Sequence, residues 1–223
     1  MAEKIYTDFI IDFEALSIFA NSNVVDLSAL TFVDDYMNVP KFSDLIQQGI
    51  TVKFDITKQP GRHRLPSTMN WWKTQDPEAR IALRPSANDV TLEDGIMKVY
   101  QYLKAQGVDY WKSRGWARGH TYDFPIFYNL LSLALGKDDV IDDDVVNFSR
   151  QRDIRTALEC YIGRGHNTCP LPKGTLDGFI KHNSIHDSAK DVIMYLYAKR
   201  YAFGVEEPPK PEDADPLSLQ QRS

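Results

Sequence analysis

The run TDFIIDFEAL, residues 7–16, carries apolar side chains at nearly every position but interrupts them with acids at 12 and 14. In a β-strand successive side chains point to opposite faces. That places Phe9, Ile11 and Phe13 on one face and Ile10, Asp12 and Glu14 on the other. Segments 8–15, 24–34 and 50–56 are predicted strands, because they are rich in apolar and β-branched residues and bounded by Asn, Asp or Gly. Pro60-Gly61 then marks a loop that carries Arg62, His63 and Arg64. Helical signals follow: Ser67 or Thr68 as the cap of MNWWKTQ, and Pro77 as the first-turn proline of EARIALR. Thr91 with Asp94 forms a capping-box pattern for LEDGIMKVYQYLKAQG, which closes on Gly107.

A short strand near 114–118 leads through GHTYDFP into the apolar helix IFYNLLSLALG. KDDVIDDD reads as a solvated acidic loop, since it lacks the glycine and terminal glutamate of a calcium loop. RDIRTALECYIG and AKDVIMYLYAKRYAFG read as the last two helices, the second with Val192, Ile193, Leu196 and Tyr197 on one stripe. Strands first and mixed elements afterwards predict an α/β layer fold with a mixed sheet. One domain over residues 1–204 is expected. The proline-rich, charged stretch 205–223 is expected to lie extended on the surface or fray.

Composition narrows the function classes. With 43% hydrophobic residues among 223, a sizeable core is expected, and no apolar run reaches the length of a membrane span. The N-terminus shows no signal-peptide pattern, and only Cys160 and Cys169 are present, which points to a reducing compartment. Those cysteines with His166 do not make the four tightly spaced ligands of a structural zinc. A net charge of -5 argues against a protein that coats nucleic acid by charge alone.

Chemistry starts from Asp12 and Glu14. Two ionised carboxylates side by side repel, and burying either without a partner is costly. A divalent cation removes both problems; so does a strand face open to solvent. Asp123 lies at the predicted start of a helix, just before Phe124-Pro125. Near the C-terminus, KHNSIHDSAKD contains two H-x4-D matches, His182 with Asp187 and His186 with Asp191. The second is preferred because Asp191 belongs to the apolar-periodic helix, whereas Asp187 sits where an N-cap is expected. Five helical residues turn through about 500°, leaving two side chains about 140° apart, so His186 is expected on the loop before that helix.

The ordered set Asp12, Glu14, Asp123, His186 and Asp191 resembles the DEDDh 3'-to-5' exonucleases. FIIDFE, TMNWWKTQDPEAR, WKSRGWARG, YDFPI, QRDIRT, TCPLPKGTLDGF and SIHDSAKD extend the likeness over nearly the whole chain, toward the exonucleases of T-even bacteriophages. The DEDDy variant needs a tyrosine at 187, where this chain has Asp. The resemblance implies a ribonuclease H-like fold, a mixed β-sheet flanked by α-helices. It implies that Asp12, Glu14, Asp123 and Asp191 bind two Mg2+ or Mn2+ ions, with Glu14 and His186 catalytic and His186 the general base. Hard cations suit carboxylate ligands, lower the pKa of a bound water and stabilise the leaving oxygen.

The implied reaction releases nucleoside 5'-monophosphates from the 3' end of single-stranded nucleic acid, with DNA favoured, in the cytoplasm of an infected bacterial host. A monomer or homodimer fits, with no membrane partner. The alternatives are an exoribonuclease, or a broader hydrolase of nucleotide-containing RNA ends. A binding module that had lost catalysis would show a broken acid set, and an RNase H-like endonuclease would lack the histidine. Leu16, Trp71 and Arg155 are the candidate substrate contacts, with Trp72 in the core. Arg62, Arg64, Lys173 and Lys181 read either as phosphate contacts or as surface charge.

Overall fold

The computed structural model of the chain describes residues 6–165 and 167–219. His166 lies outside the described residues. Five strands, β1 (Thr7–Ala15), β2 (Val24–Val33), β3 (Ile50–Lys53), β4 (Gly115–Ala117) and β5 (Gln151–Asp153), form one sheet in the order β3-β2-β1-β4-β5. β2 pairs antiparallel with both β1 and β3, while β4 runs parallel to β1 and to β5. Six helices accompany it: α1 (Phe42–Gln48), α2 (Pro66–Thr74), α3 (Leu92–Ala105), α4 (His120–Leu135), α5 (Ile154–Ile162) and α6 (Ser184–Ala202). This is the mixed sheet that the sequence pattern predicts, in the ribonuclease H-like architecture that the family resemblance implies.

The alternation of β1 divides the core in two. Phe9, Ile11 and Phe13 pack with Ile96, Val99, Phe127 and Leu130 of α3 and α4. Ile10 packs on the other side with Ile154, Leu158, Val192, Ile193 and Leu196 of α5 and α6. Two close approaches depend on small residues. A Cβ on Gly95 would stand 2.3 Å from the Phe54 ring, so glycine there lets α3 press on the sheet edge. Ser188 of α6 meets Ser28 of β2 through their hydroxyls at 3.2 Å, which seats α6 directly over the strand pair that carries the acids.

Several boundaries differ from expectation. α1 has no side-chain N-cap, and this short helix was not foreseen. α2 starts on Pro66 rather than on a Ser67 or Thr68 cap, using the fixed φ of proline at its first turn. α4 begins at His120, so Asp123 lies in its first turn and Pro125 lies inside it. The acidic segment is not simply solvated, because Asp144, Val145 and Val146 are buried against the α3–α4 side. Near the C-terminus the Asp215 carboxylate accepts the Leu176 N–H at 3.0 Å and Ser218 Oγ accepts the Leu171 N–H at 2.9 Å. No helix among the described residues is long and apolar enough to cross a membrane.

Candidate active site

In open sheets with parallel strands, sites form outside the carboxyl ends where neighbouring strands diverge. β1 is that place here, flanked by antiparallel β2 and parallel β4. Asp12 and Glu14 stand near its carboxyl end, half-buried, and neither carboxylate has a hydrogen-bond or ion-pair partner among the described residues. α4 brings Asp123 beside them, and its Oδ1 accepts the Phe13 N–H at 3.0 Å. α6 adds Asp187 and Asp191, one turn apart. All five carboxylates line a cavity of about 390 Å³, with Trp71, Arg118, Tyr122, Arg155 and His182 also on its wall.

The gathering of acids carries an electrostatic cost. Burial, then the charges of Asp123 and Glu14, push the Asp12 carboxyl far above the ordinary carboxylate range. Burial, then Asp26 on the paired strand, does the same to Glu14. Asp123 rises to about 7, chiefly through burial. Asp187 also rises to about 7, through burial and then the neighbouring Asp191 charge. Two cations counter this. Arg118 grips Asp191, its Nε donating to both carboxylate oxygens at 2.8 Å, and Arg155 lowers the charge burden on Asp123.

The structure places the two histidines differently from the sequence expectation. α6 starts at Ser184, capped by Asn183, whose side chain accepts the His186 N–H at 3.4 Å. His186 is therefore a helical residue rather than a loop residue. Its ring packs against Phe42 and Phe179, and its Nδ1 accepts the Ile180 N–H at 3.0 Å, away from the carboxylates. His182 occupies the loop position instead. It has φ 60°, a conformation uncommon outside glycine, and its N–H donates to Asp187 Oδ2 at 2.9 Å. Asp187 thus does not cap the helix as expected. Ligand atoms of Glu14, His182 and Asp187 lie within 4.8 Å of one another.

The other candidates divide. Trp71 is 41% exposed on the cavity wall, its ring centroid 4.8 Å from that of His182, whereas Trp72 is buried. Arg155 faces the cavity. Leu16 does not: it is buried with Val25, Trp72 and Ala79, bordering an adjacent cavity. Ile18, two residues on, is exposed on the wall of the acidic cavity, and sequence reasoning passed it over because a lone exposed isoleucine carries no pattern. Arg62 is spent on the Ser22 and Ala20 carbonyls and the Asn129 side chain. Asp153 caps α5 by accepting the Thr156 N–H at 2.8 Å. Arg118 and Tyr122 were also missed, and each shows its role only once β4 and α4 converge on β1.

Comparison with known proteins gives the family and the fold. The model of the Rv2179c-like 3'-5' exoribonuclease domain matches residues 7–197. An exodeoxyribonuclease of Enterobacteria phage T4 is 46% identical over 222 residues, covering 95% of this chain and 97% of that protein. Among solved structures, a zinc-bound complex of E. coli ExoI with single-stranded DNA superposes with TM-score 0.54 at 11% identity, covering 91% of this chain. E. coli Exonuclease I with a dA16 oligonucleotide gives TM-score 0.54 at 13% identity. This chain spans 43% and 42% of those two, and at such identities the likeness concerns the fold. By its family-model match and its phage relative alike, the chain belongs to the Rv2179c-like 3'-5' exoribonuclease domain family and is a 3'-5' exonuclease.

Proposed function

We propose that the chain removes nucleotides from the 3' end of single-stranded DNA by metal-assisted hydrolysis, with Asp12, Glu14, Asp123 and Asp187 holding the ions and His182 as general base. The observation that carries this reading is the convergence of these carboxylates and His182 on one cavity, with Asp12 and Glu14 unpartnered. The donor set fits hard divalent cations: carboxylate oxygens in excess, no thiolate, and mutual repulsion that a cation relieves. Asp191 fits the role less well because Arg118 already engages both its oxygens. Bound Mg2+ or Mn2+ supplies an activated water and charge relief at the leaving oxygen.

The chain's own groups do the rest. Burial holds the His182 imidazole below its ordinary pKa, so the ring is neutral near pH 7 and able to accept a proton from water. The His182 backbone N–H donates to Asp187 Oδ2 at 2.9 Å and the ring packs edge-on against Trp71, which together hold the residue beside the carboxylates. The Arg155 guanidinium faces the cavity as a partner for phosphate oxygens. Trp71 and Ile18 offer apolar faces to a base on either side.

DNA is preferred on the strength of the phage exodeoxyribonuclease, and the exoribonuclease family description favours RNA as the second reading. End-labelled DNA and RNA of one sequence, single- and double-stranded, assayed with magnesium and with chelator, test both. A descending ladder on single-stranded DNA with magnesium is the expected result. Faster RNA decay selects the second reading, and undiminished activity in chelator rejects the metal mechanism.

A further inference from the structure

Beside the acidic cavity, across α2, lies a second cavity of about 450 Å³ with the opposite character. Met69, Pro77 and Leu83 are the accessible part of its apolar lining, over the buried Leu16 and Trp72, and Arg64, Lys73, Arg80 and Arg84 border it. All four cations are exposed, and none forms an ion pair among the described residues. Arg64 donates to the Ile56 carbonyl at 2.5 Å and Lys73 to Asn70 at 3.1 Å, while the guanidiniums of Arg80 and Arg84 have no hydrogen-bond partner there. No carboxylate lines this cavity. In a chain of net charge -5, four unpaired cations around an apolar floor form a local exception that matches a polyanion with flat apolar faces.

The two cavities are joined by covalent neighbours. Ala15 lines the acidic one and Leu16 the basic one; Trp71 lines the acidic one and Trp72 the basic one, with the indole rings 5.2 Å apart. Trp72 Nε1 donates to the Ala15 carbonyl at 3.1 Å, so the wall between them is pinned to β1. A strand whose terminal nucleotide sits at the carboxylates must leave in some direction, and every acid-lined side repels its phosphates.

We propose that this basic cavity binds the nucleotides on the 5' side of the scissile bond. The guanidiniums meet the phosphates and the apolar floor meets a base. This rests on the exonuclease reading of the neighbouring site and adds to it the path of the substrate strand. The surface cations then provide affinity, while the carboxylate cavity provides chemistry.

The test compares the full chain with its Arg80→Gln/Arg84→Gln variant on two substrates in magnesium. One is the oligonucleotide dT16; the other is the p-nitrophenyl ester of thymidine 5'-monophosphate, which has no upstream nucleotides. Both arginines are exposed, so the variant is expected to fold. The expected result is a KM for dT16 raised about tenfold and a log–log salt slope smaller by about 1.4, at about 0.7 per lost phosphate contact on a single strand. Ester hydrolysis is expected to stay unchanged. An unchanged KM and salt slope on dT16 would overturn the proposal, and so would an equal loss on both substrates. A parent chain inert on both substrates would instead reject the exonuclease reading of the neighbouring cavity, and this proposal with it.

Discussion

β1 carries a buried acid at its amino end and two half-buried acids at its carboxyl end, and the two ends treat them differently. At the amino end, Asp8 accepts the Arg114 N–H at 2.8 Å and the Trp116 Nε1–H at 3.3 Å. Nearby, Asp34 accepts from Arg114 at 3.1 Å and from the Tyr195 hydroxyl at 2.9 Å, and pairs with Lys199. At the carboxyl end, Asp12 and Glu14 have no such partners and are joined by Asp123 and Asp187. One end is neutralised by the fold and the other is left for something to neutralise. A buried acid held by the fold's own donors, such as Asp8, therefore does not mark a site in this molecule; the unpartnered Asp12 and Glu14, gathered with Asp123 and Asp187 on one cavity, mark the candidate one.

The largest effect that would sharpen this contrast is loss of catalysis. Asp12→Asn, Glu14→Gln or Asp187→Asn should each lower the exonuclease rate by several orders of magnitude while far-ultraviolet circular dichroism stays native. Asp8→Asn, at the other end of the strand, should leave the rate per folded molecule within about twofold. A rate loss at Asp8 matching that at Asp187 would erase the distinction.

Next come the histidines. His182→Ala should lower the rate about 10²–10⁴-fold, the usual range for a general base, with single-turnover kinetics as the measurement. His186→Ala should change it less than about tenfold and cost about 1–2 kcal/mol in denaturant unfolding, because its ring packs between Phe42 and Phe179.

The third effect is on stability. Asp34→Ala should cost about 3 kcal/mol by leaving the buried Lys199 ammonium unpaired. Its urea midpoint should fall while activity per folded molecule is kept.

The last comparison is the pH dependence of the metal-free protein. Asp123 and Asp187 have folded pKa values near 7, above the unfolded carboxyl value near 4. The unfolded chain releases these protons first as pH rises, so their contribution is fully present below about pH 4 and is lost by about pH 7. Melting temperature in chelator should therefore fall from about pH 5 to pH 7, and magnesium or manganese should reverse the fall. Asp123→Asn should flatten the curve.

The sheet and its acids were legible because strand alternation is a strict period of two. Asp12 and Glu14 had to share a face, and that face proved to be the one under α6. The connection between β2 and β3 was less legible, since α1 is short, uncapped and held by Phe42 and Leu45 packing on α6 rather than by local signals. The start of α6 was missed for a local reason. Asn183 is as strong an N-cap as Asp187, and Ile185 extends the apolar stripe of Val192 and Ile193 by about two turns toward the N-terminus. Weighing those two residues together would have moved the helix start to Ser184. Arg118 and Ile18 had no comparable signal, because their positions depend on how the loops after β1 and β4 meet.

The claim that the carboxyl end of β1 is built to be neutralised from outside is tested most directly by calorimetric titration of the chain with Mn2+. The account predicts saturable binding to the parent, binding weakened at least about tenfold by Asp187→Asn, and binding unchanged by Asp8→Asn. Absence of binding to the folded parent, or its loss in Asp8→Asn but not in Asp187→Asn, would contradict it.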